Sequence, residues 1–444
     1  MKKHLIIIAI LGILILLIRW DFSSEIEYDN KLPVLHIYSR YNEEFFVDRE
    51  RRIDSVLTLS NVSDDIQFSN IDASVRGRGN STWNIGTDKR PLRFRFDEAK
   101  SIFDSNYEST DWILLANHFD RSLLRNHGAL YLSLMLEGLA FTPTSHFLHL
   151  YVNGEYMGVY QLTEERINPD LLGLTYETDP AKSGYLIELN MRAYNNESRY
   201  LRYFRAGLER IYRIRYPDDD DLTREHTRYA QNFINHVSDA ILSQDFDEIQ
   251  RWIDIPSFID FFIVNELFKE TDSFQESMLM QIRGQGHERR LYRGPVWDFD
   301  LSSGNSARSL GELLSYTGYP HNLAELTLTH PYLDFHPEGL FTGLYNYWYY
   351  HLLDVPEFRM LLISRWNEIK DNEISQMIDE IERIASTYQA DFERNFNRHR
   401  VLGDNMWRSP AEVDGIRTHR GQVEYLVDWL ETRVEWLDNY FNEN

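Results

Sequence analysis

The chain has 444 residues and no cysteine, and 46 Lys and Arg against 70 Asp and Glu leave it a formal charge of −24. Without cysteine it has no disulfide framework, no thiolate metal centre, no cysteine nucleophile and no cysteine-linked lipid. The acidity disfavours a nucleic-acid partner, because binding one depends on neutralising its phosphates. Ten Trp, 27 Tyr and 25 Phe within 43% apolar residues are ample for a large core.

The N-terminus reads as a membrane-targeting helix. Lys2, Lys3 and His4 precede an apolar run, Leu5–Ile18, closed by Arg19 and Trp20. As a helix that run covers about 21 Å, less than the roughly 30 Å of a bilayer core. The charge order fits a secretory signal peptide, although no Ala-x-Ala cleavage site follows. Flanking Lys, Arg and Trp can snorkel, so an uncleaved signal anchor fits equally. Either places the remainder on the exported side of a bacterial cytoplasmic membrane, tethered through residues 5–18 or secreted.

From Lys31 onwards the pattern is globular. Val34–Tyr38 reads as a strand, and Asp48–Leu59 has strand-like alternation. Ala73–Phe96 holds two strand-like pieces around a glycine-rich centre, and Ser122–Leu139 has helical spacing. His146–Val152, an Asn153-Gly154 turn and Tyr156–Leu162 form the clearest hairpin. Tyr185–Leu189 is a short strand, and Asp218–Asp221 is a solvated loop. A helical stretch from Thr223 runs through Phe258–Phe268 to a hairpin-like segment, Met278–Trp297. Pro356–Ile369, Ile374–Phe392 and Gln422–Phe441 are amphipathic helical segments. With no repeat and no Gly/Ser linker, the pattern predicts one α+β domain, residues 31–444, with a helical C-terminal half behind the targeting segment 1–20.

Three constellations carry chemistry. The first is Arg76-Gly-Arg-Gly-Asn-Ser-Thr-Trp83. Its glycines permit close approach of the backbone, and Arg76 and Arg78 with clustered N–H groups suit phosphate oxygens. A plain tight turn fits the same residues, for this is neither a Walker motif nor a strict GxGxxG. The second is Lys89-Arg-Pro-Leu-Arg-Phe-Arg-Phe96, where strand alternation puts Arg93 and Arg95 on one face. A solvent-facing strand side is its bland reading. The third is acidic: Asp298 and Asp300 in Pro295-Val-Trp-Asp-Phe-Asp300, with Asp272 26 residues before Asp298. Carboxylates at i and i+2 can hold a hard cation, and an Asp ahead of a hairpin with an Asp-Phe turn behind it follows the protein-kinase layout. Caps and turns are the structural alternative. No HExxH or GxSxG pattern accompanies them. A phosphohydrolase built on Asp298 and Asp300 would lack His ligands.

These blocks resemble the CotH kinase family, the spore-coat-type atypical protein kinases. So do Trp112–Asn117, Asp120–Asn126, Leu150–Tyr160 with Glu164, and Gly184–Glu188. Pro356–Arg359 with Arg365–Asn367, and Tyr425–Leu430 with Arg433 and Trp436, extend the likeness from Lys31 to Asn444. The resemblance implies a degenerate protein-kinase-like fold that uses ATP and Mg²⁺, with Mn²⁺ as a substitute, to phosphorylate Ser or Thr of a protein partner. On that mapping Arg76, Arg78, Asn80 and Ser81 cover the triphosphate, and Lys89, Arg93 or Arg95 neutralise it. Tyr160 and Glu164 border the nucleotide, Asp272 accepts the hydroxyl proton, and Asp298 and Asp300 hold the metal. Two positions depart from the pattern: Ser277 stands where a kinase has Asn, and Arg95 where the family often has Lys. The alternative is a non-catalytic, pseudokinase-like envelope protein that binds a protein or glycan on the same scaffold.

Overall fold

The computed structural model describes residues 31–41, 43–46, 49–85, 87–103, 105, 107–190, 199–205, 208–271, 277–307, 337–340 and 346–443. The segment read from the sequence as a targeting helix, including residues 5–18, lies outside them. Among the described residues no helix is long and apolar enough to cross a membrane.

Alternation builds the first half. Strands β1 (Val34–Ser39), β2 (Ile53–Ser60), β3 (Phe68–Gly77), β4 (Leu92–Lys100) and β5 (Ser109–Leu115) follow one another, and helix α1 (Arg125–Leu134) precedes the hairpin β6 (His146–Val152) and β7 (Glu155–Glu164). The strands close into a barrel in the order β1-β2-β3-β4-β5-β7-β6, sealed by parallel pairing of β6 with β1. Every second residue points inward, so Leu35, Ile37, Leu57, Val75, Phe94, Trp112, Leu114, Leu150 and Leu162 fill the barrel. Asn153 and Gly154 both have positive φ, 49° and 85°, as a two-residue hairpin turn requires.

A second sheet follows. It consists of β8 (Tyr185–Leu189), β9 (Tyr200–Arg205), β10 (Leu208–Tyr216), β11 (Leu279–Arg283) and β12 (Arg290–Arg293), in the order β12-β11-β8-β10-β9. Between β10 and β11 lie α2 (Arg224–Ser243), α3 (Phe246–Trp252) and α4 (Ile255–Phe268). Asp254 caps α4 by accepting from the Ser257 N–H at 3.0 Å. Helix α4 is predominantly apolar and is buried from Ser257 to Phe268, with its carboxylates Asp260 and Glu266 paired to Arg365 and Arg433. The strand β5 and the hairpin β9–β10 add to the elements read from the sequence. Strand β5 buries consecutive residues, Asp111 to Leu114, on both faces and so shows no alternation, and β9 and β10 carry many charges.

The C-terminal part is helical: α5 (Tyr347–Leu352), α6 (Pro356–Ile369), a π-helical turn at Lys370–Ile374, α7 (Ser375–Thr387), α8 (Gln389–His399) and α9 (His419–Glu443). The predicted single helix over Ile374–Phe392 is divided at Tyr388, whose φ of −108° and ψ of 25° leave the helical range. The fold is thus a mixed α+β structure with a barrel and a helical C-terminal part.

Helix α8 packs closely on β7. The Val159 N–H donates to Asn395 Oδ1 at 3.0 Å, and His399 Nε2 donates to the Met157 carbonyl at 2.8 Å. A buried hydrogen bond of 2.7 Å joins His149 Nε2 to Asp391 Oδ1. This contact needs Gly158, whose φ is 106° and where a Cβ would fall 2.6 Å from Asn395 Oδ1. Gly154 has φ 85° but open space around it. Gly158→Ala should therefore cost about 3 kcal/mol through combined strain and overpacking. Gly154→Ala should cost only roughly 1 kcal/mol through strain alone. Urea unfolding of both variants checks the difference; equal losses would contradict the close-packing account.

Candidate active site

A cavity of about 520 Å³ lies where the glycine-rich loop faces the loop after β12. Its size is within the ordinary range for small-molecule sites. Gly77 to Thr82 form one wall, and Asp298, Asp300 and Ser277 form part of another. Residues more than 200 positions apart in sequence thus share one space.

The loop wall is held open by its own bonds. Gly79 has φ 90°, and a Cβ there would lie 3.0 Å from the Pro91 ring. The Arg78 N–H donates to the Pro91 carbonyl at 3.2 Å. Arg49 donates to the Gly79 carbonyl at 2.6 Å, and Arg76 donates to the Arg49 carbonyl at 2.8 Å. Asn80 and Ser81 open a one-turn helix, Ser81–Asn84.

The basic groups of the cavity differ in how they are paired. Arg93 binds Asp111 at 2.8 Å and Glu165 at 3.0 Å. Arg166 binds Glu188 at 2.8 Å, and Arg215 binds the other oxygen of that carboxylate at 2.6 Å. Those two guanidinium groups hold the buried Glu188 carboxyl below its ordinary pKa against the opposing effect of burial. Arg78 makes no ion pair among the described residues. Its guanidinium lies 5.6 Å from the centre of the Trp297 ring, and that of Arg166 lies 5.0 Å from the same ring. Loss of solvent lowers the Arg78 pKa to about 10, with Glu165 opposing the shift. A cation in this state gains most from an incoming anion.

The acidic loop is positioned from α1. Phe299 donates its N–H to Asn126 Oδ1 at 2.7 Å. Asn126 Nδ2 donates to Asn117 Oδ1 at 3.0 Å, and Asn117 donates to Gln161 of β7 at 2.7 Å. Arg125 donates to the carbonyls of Ser302 at 3.0 Å and Ser303 at 3.2 Å. Its own charge is matched by Asp120 at 2.6 Å, with both side chains fully buried. Asp298 takes the left-handed conformation, φ 79° and ψ 47°, which Asp tolerates better than most residues. Ser277 Oγ donates to Asp298 Oδ2 at 2.9 Å. Ser277 thus orients the aspartate.

Two carboxylates on one cavity wall suit Mg²⁺, which binds one or two protein carboxylates and completes its shell with phosphate oxygens and water. Among the described residues there is no group of three or more His, Asp or Glu that could hold a metal by itself. The residues present therefore fit a cation that arrives with a phosphorylated ligand, and do not form a self-sufficient metal cage.

Of the residues singled out in the sequence, Arg76, Arg78, Asn80, Ser81, Arg93, Asp298 and Asp300 line this cavity. Four others lie away from it. Lys89 is 2% exposed, with its ammonium 5.6 Å from the centre of the Tyr160 ring, and burial lowers its pKa to about 7. Tyr160 points into the barrel and donates its hydroxyl to the Arg90 carbonyl at 3.1 Å, so it offers no face to a nucleotide. Glu164 is buried and accepts from Ser105 Oγ and the Thr144 N–H, each at 2.6 Å. Arg95 shares the Arg93 face, as alternation predicts, but lies farther along β4, half exposed and paired with Asp111 at 2.6 Å. Asp272 lies outside the described residues.

Sequence reasoning did not single out Arg166, Arg215, Trp297, Trp407 or Arg408 as cavity residues. Glu188, Asn117 and Asn126 stand inside blocks that carry the family resemblance, and that was their signal.

No curated protein matches the sequence. The family model described as CotH kinase protein matches residues 75–437. That span includes the glycine loop, Arg93, the Asn117–Asn126 pair and both cavity aspartates. The chain belongs to the CotH kinase protein family.

Proposed function

We propose that the cavity binds ATP with Mg²⁺ or Mn²⁺ and that the protein transfers the terminal phosphate to Ser or Thr of a protein partner. The observation that carries this reading is the meeting of Arg78, a part-buried cation with no ion pair among the described residues, with Asp298 and Asp300 in one cavity. Its wall there is a glycine loop.

The element order supports it. A glycine loop lies between β3 and β4, and β5, α1, β6 and β7 follow. Protein kinases likewise use a glycine loop over the phosphates and a helix that must be in place beside the metal-binding loop. Here the link between strand end and helix is the neutral pair Asn117–Asn126, where protein kinases have a Lys–Glu ion pair.

The chain's own groups divide the work. Arg76, Arg78 and Arg93 with the loop N–H groups bind and orient the triphosphate. Asp298 and Asp300 hold the divalent cation, which when bound neutralises charge on the phosphate oxygens. Asp272 orients the acceptor hydroxyl and takes its proton as the oxygen–phosphorus bond forms. The bond from phosphorus to the bridging oxygen breaks, and ADP leaves. We further assign the acidic chain to the exported side of a bacterial membrane, with residues 5–18 as its targeting segment. The partner is a protein.

Asp298→Asn keeps a residue suited to the left-handed conformation and should lower transfer at least about a hundredfold. Asp272→Asn should do the same. Labelled ATP with Mg²⁺ or Mn²⁺ and residues 31–444 provide the assay. ATP binding without transfer by the unaltered protein would favour the non-catalytic alternative, and phosphate released only to water would indicate hydrolysis. A folded protein that binds no nucleotide would overturn the proposal.

Arg78→Ala should weaken ATP binding by roughly 10- to 100-fold, as expected for losing charged hydrogen bonds worth about 1.5–3 kcal/mol. Arg95→Ala, outside the cavity, should leave it within about twofold. Calorimetric titration of both variants measures this.

A further inference from the structure

Two tryptophans line the cavity, and they differ in exposure. Trp297 is 5% exposed, covered by the guanidinium groups of Arg78 and Arg166. Trp407 is 43% exposed although it also lines the cavity. Its ring lies 5.4 Å from Phe119, tilted by 47°, and the Arg408 guanidinium stacks 4.2 Å from its centre. An exposed tryptophan at the mouth of a polar cavity exposes apolar surface that a bound partner would cover.

The segment that carries Trp407 is held in place. Arg121 is fully buried and donates to the Asp404 carbonyl at 2.8 Å, to Ser409 Oγ at 2.5 Å and to Asp414 Oδ1 at 2.6 Å. The Ala307 N–H donates to the Arg408 carbonyl at 2.7 Å. Arg121 comes from the turn before α1, almost 300 residues earlier. A buried guanidinium with a carboxylate partner and two further acceptors fixes a loop far better than surface contacts would. Trp407 is therefore preorganised, and preorganised aromatic anchors give the largest contributions to protein recognition.

Its place relative to the acidic loop decides what it meets. Asn305 donates to the Asp300 carbonyl at 2.7 Å and to the Phe119 carbonyl at 2.9 Å, so Phe119 and Trp407 flank the Asp300 side of the cavity. Trp297 adjoins Asp298 and its ring is already covered by two guanidinium groups, whereas the Trp407 ring stays open to solvent. The second substrate of a phosphoryl transfer enters in line from the open side.

We propose that Trp407 is the acceptor-binding residue, on which the polypeptide flanking the phosphorylated hydroxyl packs, with Arg121 as the residue that positions it. This rests on the kinase reading above. The ring selects acceptors with an apolar residue beside the hydroxyl, because an aromatic face on an exposed loop recognises apolar surface.

The test uses residues 31–444, ATP with Mn²⁺, and a degenerate Ser/Thr peptide library as the acceptor probe. Trp407→Ala should raise KM for the library about tenfold or more while KM for ATP stays within about twofold. Trp407→Phe should recover most of the loss, and enrichment of apolar flanking residues should disappear in the alanine variant. Arg121→Lys, which keeps the charge but loses the fork of donors, should raise the same KM in part. An unchanged library KM in a folded Trp407→Ala protein would overturn the assignment. So would a parallel rise in KM for ATP, which would make the ring a base platform. Failure of the unaltered protein to bind ATP is a separate outcome; it overturns the kinase reading and this assignment with it.

Discussion

The buried ion pair between Asp120 and Arg125 is the constraint on which the site depends. Its 2.6 Å contact is fully shielded from water, and removing one partner of such a pair typically costs about 3–5 kcal/mol. Asp120 spends its remaining acceptor capacity on the N–H groups of Ser122 and Arg125, at 2.9 and 2.8 Å. Arg125 then reaches the carbonyls of Ser302 and Ser303, immediately after the acidic loop. Together with Asn126 on Phe299, this makes the start of α1 the mount for Asp298 and Asp300. The barrel holds the other end through Asn117 and Gln161. Loop, helix and barrel thus have one shared joint.

The electrostatics follow from the same arrangement. A chain of formal charge −24 repels anions at long range, yet its cavity gathers Arg76, Arg78, Arg93, Arg166 and Arg215. Most are already matched by carboxylates, with Arg166 and Arg215 sharing Glu188 and Arg93 divided between Asp111 and Glu165. Arg76 and Arg78 make no such ion pair among the described residues, and burial, opposed by the charges of Glu165 and Asp298, lowers the Arg78 pKa, which measures the burden of holding a cation there. A bound phosphate group would relieve that burden.

Much of the fold is legible in the sequence because its signals are local. Alternation marks β1, β4 and the β6–β7 hairpin, and the Asn153-Gly154 pair specifies the turn between them. The glycine loop and the Asp-Phe-Asp turn are equally local, and both reach the cavity. Long-range placement is what local pattern does not carry. Lys89 is in the same basic run as Arg93 yet is buried against Tyr160, because it precedes the first residue of β4, Leu92, where strand alternation does not yet govern the side chain's direction. Tyr160 is aromatic and close in sequence to the cleft-lining Glu165, but its inward parity commits it to the barrel core. Trp407 and Arg166 reach the cavity only through tertiary contacts, Trp407 through a loop pinned by Arg121. No spacing rule announces such a contact.

The central claim is that Arg78 and the two aspartates act on one phosphorylated ligand together with a metal. Crystals of residues 31–444 grown with a non-hydrolysable ATP analogue and Mn²⁺ would test it by anomalous scattering. The account predicts a manganese peak within coordination distance of Asp298 or Asp300 and phosphate oxygens within hydrogen-bond reach of Arg78. A nucleotide bound elsewhere, or in this cavity with no manganese at either aspartate, would contradict it.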